Sequence, residues 1–363
     1  MAVTIADVAM RAGVSTATVS RVLSGAVRAR PQTRERVLSA VRELGYRPSN
    51  IARSLKLQRT QTIGLIITDV ENPYFAELVR AIEDVAHELG YVLVLCNGAD
   101  DVDREAAYLE VLAERRVDGI IIATGAIGDR HAEWLAHAPV PVVMVNWEAS
   151  IGGVPAILSD NRSGGRMAAE FLLRLGHRRI GYVTAPSAHA AAAPRLEGVR
   201  DALSDQGLLA DCLTIAEGDA HVSGGQRAMD ELLARTPELT AVICYNDMTA
   251  MGAIRSLHAH GRRVPQDVSV VGFDNLDLAA YLDPPLTTMH QEKARMGRWA
   301  VERLAGLIRA GVSSIDGGSA DVVRLPVTLM VRESTGPPPP EGDPALAPDR
   351  RDDRTGRWRS GGA

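Results

Sequence analysis

The stretch that decides the N-terminal fold reads Thr4-Ile5-Ala6-Asp7-Val8-Ala9, and resumes as Ala12-Gly13-Val14-Ser15-Thr16-Ala17-Thr18-Val19-Ser20-Arg21-Val22-Leu23. Thr4 and Asp7 have the spacing of a capping box, and Gly13 suits the tight turn after a first helix. Ser15 is placed to cap a second helix, whose outward side chains are short or hydroxylated and flank an arginine. The pattern predicts a helix-turn-helix, a motif that lays its second helix in the DNA major groove.

Two further segments extend this N-terminal head. Pro31 suits the first turn of a third helix, and Gly45 suits its end. Residues 49–56 follow as a short helix, about seven residues long, which is marginal by itself in water. Leu55 is apolar within this basic segment, as a side chain inserted between base pairs in the minor groove must be. We therefore predict a DNA-binding head over residues 1–59 with a hinge helix at 49–56.

The charge distribution along the sequence agrees with a DNA-binding head, since DNA is a polyanion. Residues 1–60 contain 11 Arg and Lys against three acids, a net charge of +8, whereas the rest of the chain carries −13. The sequence starts with no basic-then-apolar signal segment and has no apolar run of the roughly 18 residues that span a bilayer. We expect a cytoplasmic protein that makes no membrane contact, with Cys96, Cys212 and Cys244 as reduced core residues.

From Thr62 the pattern changes to short apolar runs that alternate with helical periodicity. Ile63–Ile67 is a continuous apolar run, typical of a strand buried on both faces. The predicted strands farther along include Gly119–Ala123, 140–145, Ile180–Thr184 and Ala241–Cys244. The alternation runs to about residue 145 and starts again after Asp160, which predicts two lobes, each with a parallel sheet between helices. We assign residues 60–335 to this core, with lobe 1 at about 60–159 plus 291–320 and lobe 2 at about 160–290 plus 321–335. Such lobes bind ligands in the cleft at the carboxyl ends of their strands.

The segment from 336 to 363 begins with Gly336 and four prolines and is rich in charge. It cannot bury a core, so we predict a disordered tail. The core shows no catalytic motif, no cysteine–histidine metal spacing and no glycine-rich phosphate loop. We expect no catalytic residues, no metal and no cofactor.

The run TIADVA…AGVSTATVSRVL…TRERV…LGYRPSNIARSL resembles the lactose-repressor (LacI/GalR) family of bacterial transcription regulators. The core resembles the periplasmic-binding-protein-like domain of the same family in several runs, among them Asn72-Pro73-Tyr74-Phe75, Asn246-Asp247-Met248 and Val271-Gly272-Phe273-Asp274. The resemblance implies an N-terminal all-α head with a hinge helix, followed by a two-lobed α/β core with two parallel, doubly wound sheets.

The resemblance also implies site residues. On the head, Thr16 and Ala17 correspond to positions of the recognition helix that read bases, and Arg21 lies beside them. The phosphate-contacting positions are Thr4, Ser15, Thr18 and Ser20, and the minor-groove positions of the hinge are Ala52 and Leu55. In the cleft, the effector-contacting positions are Phe75, His189, Arg195, Asn246, Asp274 and Gln291.

Alternatives remain for several of these residues. Asn246 and Asp274 also suit loop capping, Arg195 suits a surface ion pair, and Trp147 suits either ligand stacking or core packing. Planar donors and acceptors beside an aromatic ring suit a polyhydroxylated ligand, so we expect a sugar-like effector.

The resulting prediction is a homodimeric transcription regulator, a repressor, that binds palindromic double-stranded DNA under the control of a small molecule. The ligand could either release the protein from DNA or promote its binding, and the sequence is compatible with both. In either case the ligand must bind the DNA-binding and the DNA-released states with different affinity. A cytosolic sugar-acting enzyme and a solute-binding protein are the alternatives. The basic head argues against the second, and the lack of a nucleophile or acid–base pattern argues against the first.

Overall fold

The computed structural model describes residues 3–24, 30–46, 59–99, 101–124, 129–147, 153–208, 212–311 and 321–340. The chain divides into two compact units between Gln61 and Thr62. Within the described ranges, none of the helices is both long and apolar enough to span a membrane. The predicted hinge helix at 49–56 lies outside the described residues.

In its described residues, the first unit contains three helices around a small apolar core. The helices are α1 (Ile5–Ala12), α2 (Thr16–Ser24) and α3 (Pro31–Leu44). Val8, Val19 and Val37, one from each helix, are fully buried and meet in this core. Gly13 and Gly45 have φ values of 63° and 61° at the ends of α1 and α3, which confirms the predicted turn and helix end.

The second unit contains two six-stranded sheets. The strands of the first sheet are β1 (Thr62–Ile67), β2 (Val92–Asn97), β3 (Gly119–Ala123), β4 (Val142–Val145), β5 (Ala156–Ser159) and β11 (Val322–Leu325), in the order β11-β5-β4-β3-β1-β2. Its helices are α4 (Pro73–Glu88), α5 (Val102–Glu114), α6 (Asp129–Ala136) and α11 (Lys293–Ala310). All pairs in this sheet are parallel.

Strand β1 shows why this lobe forms. Ile63, Leu65 and Ile67 pack with α4 and α11 on one face of the sheet. Ile66 packs with α5 and α6 on the other face. The prediction of a strand buried on both faces is therefore confirmed.

The second sheet has the order β12-β10-β9-β8-β6-β7. Its strands are β6 (Ile180–Thr184), β7 (Leu213–Glu217), β8 (Ala241–Cys244), β9 (Ser269–Asp274), β10 (Thr287–His290) and β12 (Thr328–Met330), of which β12 alone among the described strands pairs antiparallel, with β10. Helices α7 (Asn161–Leu175) and α8 (Ala192–Asp205) cover one face, and α9 (Val222–Arg235) and α10 (Asp247–Ala259) cover the other. A 3-10 helix follows β9 at Asp277–Tyr281.

Two boundaries in the sequence prediction are wrong. We assigned 321–335 to lobe 2, but β11 pairs in parallel with β5 of the first sheet, and Leu325 is buried in the first-lobe core. Val327, two residues later, packs in the second-lobe core, so the chain crosses between the lobes at this point.

The start of the predicted tail is the other error. Gly336 exchanges two hydrogen bonds of 3.0 Å with the Ser269 hydroxyl, and its carbonyl oxygen accepts a bond of 2.9 Å from His177 Nε2. These partners anchor Gly336 to lobe 2. Residues 341–363 lie outside the described part of the chain.

Candidate ligand cleft and DNA-binding surface

A polar cavity lies between the two lobes at the carboxyl ends of their strands. Asp69 and Asn146 follow β1 and β4 of the first lobe, whereas Tyr245 follows β8 and Asp274 ends β9 of the second. The cavity has a volume of about 70 Å³. A single water needs roughly 10–15 Å³ on the same measure, so the space suits a small molecule that displaces several waters. The residues that line it are Thr68, Asp69, Asn72, Tyr74, Phe75, Asn146, Asn161, His189, Ala190, Ala191, Arg195, Ala220, His221, Tyr245, Asn246, Asp274 and Gln291.

All six residues predicted to contact an effector line this one cavity. They come from separate elements of the two lobes and from the connections between the lobes. The predicted residues are Phe75, His189, Arg195, Asn246, Asp274 and Gln291.

Arg195 is held rigidly at the base of the cleft, with 6% of its surface exposed. Its Nε donates to Asn161 Oδ1 at 3.0 Å, and its Nη1 donates to the Tyr245 carbonyl at 2.6 Å. The guanidinium lies 3.6 Å from the centre of the Phe273 ring, a cation–π contact. Nη2 is 3.9 Å from Asp274 Oδ1, which leaves this edge of the group for the cleft. The surface ion pair considered for Arg195 is therefore wrong.

Asp274 is the buried acid of the cleft. Its Oδ1 accepts a bond of 2.6 Å from Gln291 Nε2, and Gln291 Oε1 accepts a bond of 2.7 Å from the Ser159 hydroxyl. Burial raises the pKa of Asp274, although the nearby Arg195 and Lys293 oppose the rise. The arrangement presents a carboxyl beside a guanidinium, a pair able to accept and donate hydrogen bonds to neighbouring hydroxyls of one ligand.

Asn246 has the capping role that we considered, and it also lines the cleft. It is the N-cap of α10: Oδ1 accepts from the Thr249 backbone N–H at 2.8 Å, while Nδ2 donates to the Ala220 carbonyl at 3.0 Å. These bonds fix the orientation of its amide toward the cavity.

Aromatic rings supply the apolar walls. Phe75 meets the buried Tyr74 edge to face, with ring centres 5.3 Å apart. His189 meets Tyr245 in the same way at 5.9 Å. Trp147 packs against the first-lobe core and is not among the residues that line the cavity, which favours the core-packing alternative.

One ion pair joins the lobes across the cleft. His221 Nε2 lies 3.1 Å from Asp69 Oδ2, and His221 Nδ1 lies 2.8 Å from the Asp219 carbonyl oxygen. Both oxygens accept hydrogen bonds, so both contacts together require the protonated ring. Burial lowers the pKa of His221, but the bonds to Asp219 and Asp69 outweigh burial, and the net change is a raised pKa.

Sequence reasoning did not select His221, Asp69, Asn161 or Asn146 as site residues. His221 and Asp69 meet only because the lobes face each other, and no spacing along the chain indicates that contact. Asn146 was detectable in part: it directly follows the predicted strand at 140–145, where parallel sheets place ligand-binding residues.

The head presents most of its predicted contact residues to solvent. The predicted capping box at the start of α1 is present: Thr4 Oγ1 accepts from the Asp7 N–H, and Asp7 accepts from the Thr4 N–H at 2.8 Å. Ser15 Oγ accepts from the Thr18 N–H at 3.2 Å and so caps α2 as expected.

The outer face of α2 carries the remaining predicted positions. Thr16, Ala17 and Arg21 are exposed, and Thr18 and Ser20 are half-buried. Arg21 Nε donates to the Ala17 carbonyl at 3.2 Å, which places the guanidinium along the helix. Ala52 and Leu55 lie outside the described residues.

Comparison with known proteins assigns a family to each unit. The family of bacterial regulatory proteins of the lacI type matches residues 4–49. The family of periplasmic binding proteins and sugar-binding domains of the LacI family matches residues 60–333.

Whole-chain relatives have the same organisation. The HTH-type transcriptional repressor PurR of Mannheimia succiniciproducens is 39% identical over 332 residues, which cover 91% of this chain and 98% of the relative. The repressor of the same name from Proteus mirabilis is 40% identical over 303 residues, 83% of this chain and 89% of the relative. These relatives are named as repressors and not as enzymes.

Solved structures match over the same span. The lac repressor dimer bound to operator and the anti-inducer ONPF matches with a TM-score of 0.82 and 30% identity, over 93% of this chain and 100% of that chain. The regulator CelR in complex with cellobiose matches with a TM-score of 0.69 and 33% identity, over 92% and 99% of the two chains. A ribose-bound regulator from Enterococcus faecium matches with a TM-score of 0.68 and 33% identity, over 76% and 99%.

Because family models match both units and whole-chain relatives match at 39–40% identity, the chain belongs to the LacI family of bacterial transcription regulators, as a DNA-binding repressor with a small-molecule-binding core.

Proposed function

We propose that this repressor binds a palindromic operator as a homodimer in the cytoplasm, and that a neutral, polyhydroxylated small molecule in the cleft sets its operator affinity. The observation that carries the proposal is the convergence of the six predicted effector residues on one interlobe cavity. The repressor names of the relatives support a regulatory role without catalysis.

The charges of the cleft favour an uncharged effector. Arg195 Nη2 lies 3.9 Å from Asp274, and His221 lies 3.1 Å from Asp69, so each of these two cations already faces a carboxylate. In the described part of the chain, no lysine lines the cavity. A phosphate group would meet the two carboxylates without a free cation to compensate, whereas hydroxyls of a sugar can bond to both members of each pair. Cellobiose and ribose in the related structures agree with this chemistry.

A thermal-shift panel tests this assignment. We expect at least one neutral pentose, hexose or disaccharide to raise the melting temperature, because a ligand that binds only the folded state stabilises it by about 2.7 kcal/mol at a hundredfold excess over its Kd. The phosphorylated form of the same sugar should give a smaller shift. A panel in which sugar phosphates shift the melting temperature and neutral sugars do not would overturn the neutral-effector proposal.

Helix α2 is proposed as the operator-reading element. Thr16 and Ala17 lie exposed near its start, and Arg21 is exposed on the same helix. Of the residues with hydroxyls, Thr4 and Ser15 are exposed and Thr18 and Ser20 are half-buried. Short side chains permit the backbone of α2 to approach the major groove, and the arginine supplies the positive charge.

Arg21→Ala tests this surface. An operator is first recovered with the wild-type chain from random-sequence DNA, and Kd is then measured by gel shift. We expect Arg21→Ala to weaken binding at least about tenfold, the loss of one base or phosphate contact of roughly 1–3 kcal/mol. Arg11→Ala is the matched control, because Arg11 is an exposed arginine on α1 that pairs with Glu43 at 2.6 Å. If both substitutions weakened operator binding equally, the effect would come from the loss of net positive charge. The assignment of α2 as the operator-reading helix would then be contradicted.

Exposed apolar residues support the homodimer. The edge strand β2 exposes Val92 by 65% and Leu95 by 43%, and the 3-10 helix exposes Leu278 by 52% and Tyr281 by 86%. Exposed apolar clusters of this kind mark protein–protein contacts. A second copy of the chain is the proposed occupant, and two heads then present two copies of α2 to the halves of a palindrome.

A further inference from the structure

The turn that presents Asp274 to the cleft has an unusual backbone. Asp274 has a φ of 118° and Asn275 a φ of 50°, in the region that side chains other than glycine rarely adopt. Such conformations are unfavourable and persist only where their surroundings hold them. The contacts that hold this turn therefore determine where the Asp274 carboxyl lies.

Lys293 is the cation that binds this turn. Its Nζ donates to the carbonyl oxygen of Asp274 at 2.7 Å and lies 3.4 Å from the carbonyl oxygen of Asn275. The ammonium also pairs with Glu77 Oε2 at 2.9 Å. Three acceptors match the three N–H bonds of an ammonium, which is what a lysine side chain with only 8% exposure requires.

These contacts join the two lobes. Asp274 ends β9 in the second sheet, whereas Glu77 lies on α4 and Lys293 begins α11, both of which pack on the first sheet. Glu77 Oε1 also lies 3.5 Å from the backbone nitrogen of Asp277, at the start of the 3-10 helix of lobe 2. The bonds from Lys293 to the turn and the contact of Glu77 with Asp277 therefore cross from the first lobe to the second, whereas the Lys293–Glu77 pair lies within the first lobe and holds the ammonium in place.

We propose that Lys293 and Glu77 are positioning residues for Asp274, which they hold in its cleft-facing conformation by bonding its turn to helix α4 of the other lobe. The inference rests on the proposed function in so far as Asp274 is a ligand-binding residue. In this account the pair does not touch the ligand. The Lys293–Glu77 pair couples the position of the Asp274 carboxyl to the relative position of the lobes. Through the lobes, it couples that carboxyl to the operator-binding state of the repressor.

A second ion pair between the same helices provides a control. Arg298 on α11 and Glu88 on α4 approach to 3.4 Å, and both are more than half exposed. This pair also joins α4 to α11, but it lies away from the turn. Glu88→Gln therefore removes a contact between a cation on α11 and a carboxylate on α4, as Glu77→Gln does. The Arg298–Glu88 pair makes no bond to the Asp274 turn.

Hydrogen exchange read by mass spectrometry, on the full chain without ligand or DNA, tests the proposal independently of any effector. We expect Lys293→Met to accelerate exchange over residues 274–281 at least tenfold, and Glu77→Gln to accelerate it in the same region to a smaller extent. Exchange in β8 should stay unchanged in both. Glu77→Gln keeps a hydrogen-bond acceptor and its side-chain volume, so the test remains available if Lys293→Met does not fold.

The double variant Glu77→Gln with Lys293→Met separates positioning from a general loss of stability. If Glu77 acts through Lys293, the double variant exchanges no faster over 274–281 than Lys293→Met alone, because coupled residues are not additive. Unchanged exchange over 274–281 in the folded variants would overturn the proposal. So would a uniform rise that includes β8, an equal rise in Glu88→Gln, or additive effects in the double variant.

Discussion

Asp247 supports the ligand cleft without lining it. It is fully buried, and its Oδ2 accepts from the Leu276 N–H at 2.8 Å while its Oδ1 accepts from the Thr288 hydroxyl at 2.5 Å. Burial, and then the charge of Asp274, raises the pKa of Asp247. The second buried carboxyl, Asp274, also has a raised pKa. The fold therefore raises the pH at which each of the two acids ionises.

This burial predicts the pH dependence of an Asp247→Asn variant. With a folded-state pKa above the unfolded value of about 4, the folded state binds more protons than the unfolded state in the window between them. The contribution of Asp247 to the free energy of unfolding then falls as pH rises through that window. Urea unfolding should show Asp247→Asn gaining on the wild type by about 1.4 kcal/mol for each pH unit within that window.

Asp201→Asn is the control for that experiment. Asp201 is a surface carboxyl whose pKa is lowered by its hydrogen bonds to Arg162, so its stabilisation is lost as pH falls. As pH rises, the free energy of unfolding of Asp247→Asn should therefore increase relative to the wild type. That of Asp201→Asn should decrease relative to the wild type. A stability difference between Asp247→Asn and the wild type that is constant with pH would contradict our account of Asp247.

The sequence predicts the cleft residues better than their supports. Arg195 and Asp274 lie in motifs that resemble the family, and both reach the cavity. Lys293, Glu77 and Asp247 support Asp274 through contacts between residues 19 to 216 positions apart along the chain. Lys293 and Glu77 read as ordinary surface charges in a helical pattern. Asp247 lies in the run Asn246-Asp247-Met248, but nothing in the sequence indicates its contact with the turn, which only the fold creates.

At the scale of elements, the crossing of α7 and α8 positions Arg195. A Cβ atom at Gly165 of α7 would overlap the carbonyl oxygen of Arg195, and one at Gly198 of α8 would overlap the carbonyl oxygen of Arg162. The two helices therefore approach backbone to backbone through glycines. This contact fixes the height of α8 over the sheet and hence the depth of the Arg195 guanidinium in the cleft.

Gly198→Ala should separate these helices. Because rigid backbone atoms on both sides resist the new methyl group, we expect a loss of about 1–3 kcal/mol in the free energy of unfolding. Weaker binding of whichever neutral sugar the thermal-shift panel identifies should accompany this loss. Gly306→Ala on α11 is the control: nothing lies near its Cβ position, so alanine should stabilise the chain by roughly 0.5–1 kcal/mol. Chemical denaturation measures the free energy of unfolding of both variants. An unchanged free energy of unfolding in Gly198→Ala would show that the two helices are not tightly packed at this crossing.

Central strands that stand between helical patterns were predictable, whereas strands beside the lobe crossings and the edge strand β7 were not. The strands at Gly119–Ala123, Ile180–Thr184 and Ala241–Cys244 have the predicted bounds, since each is a short apolar run between helical patterns. Sequence reasoning missed β5, β7, β10 and β12. β5, β10 and β12 have three or four residues each and lie next to crossings between the lobes, and β7 is an edge strand with half-exposed residues. Their pairing is decided by neighbouring strands that are distant along the chain, and the misplacement of β11 has the same cause.

At the scale of the whole core, the two lobes are joined by three chain crossings, after β5, after β10 and between β11 and β12. Side chains from the first two crossings meet in the 2.7 Å bond between Ser159 and Gln291, and Gln291 also bonds Asp274. A ligand bonded to Asp274 would therefore contact the hydrogen-bond network that ties the first two crossings together. This arrangement gives the cleft a route to the rest of the repressor, in agreement with ligand control of operator binding.

The most direct test is the operator Kd of the wild type and of Arg195→Ala, each with and without the neutral sugar that gives the largest thermal shift. The account predicts that the sugar changes the wild-type Kd by about tenfold or more, within the usual range of allosteric coupling. Arg195→Ala should bind the operator with the wild-type affinity in the absence of sugar and should not respond when the sugar is added. A sugar response of the same size in Arg195→Ala, or no change of the wild-type Kd by a sugar that demonstrably binds, would contradict the account.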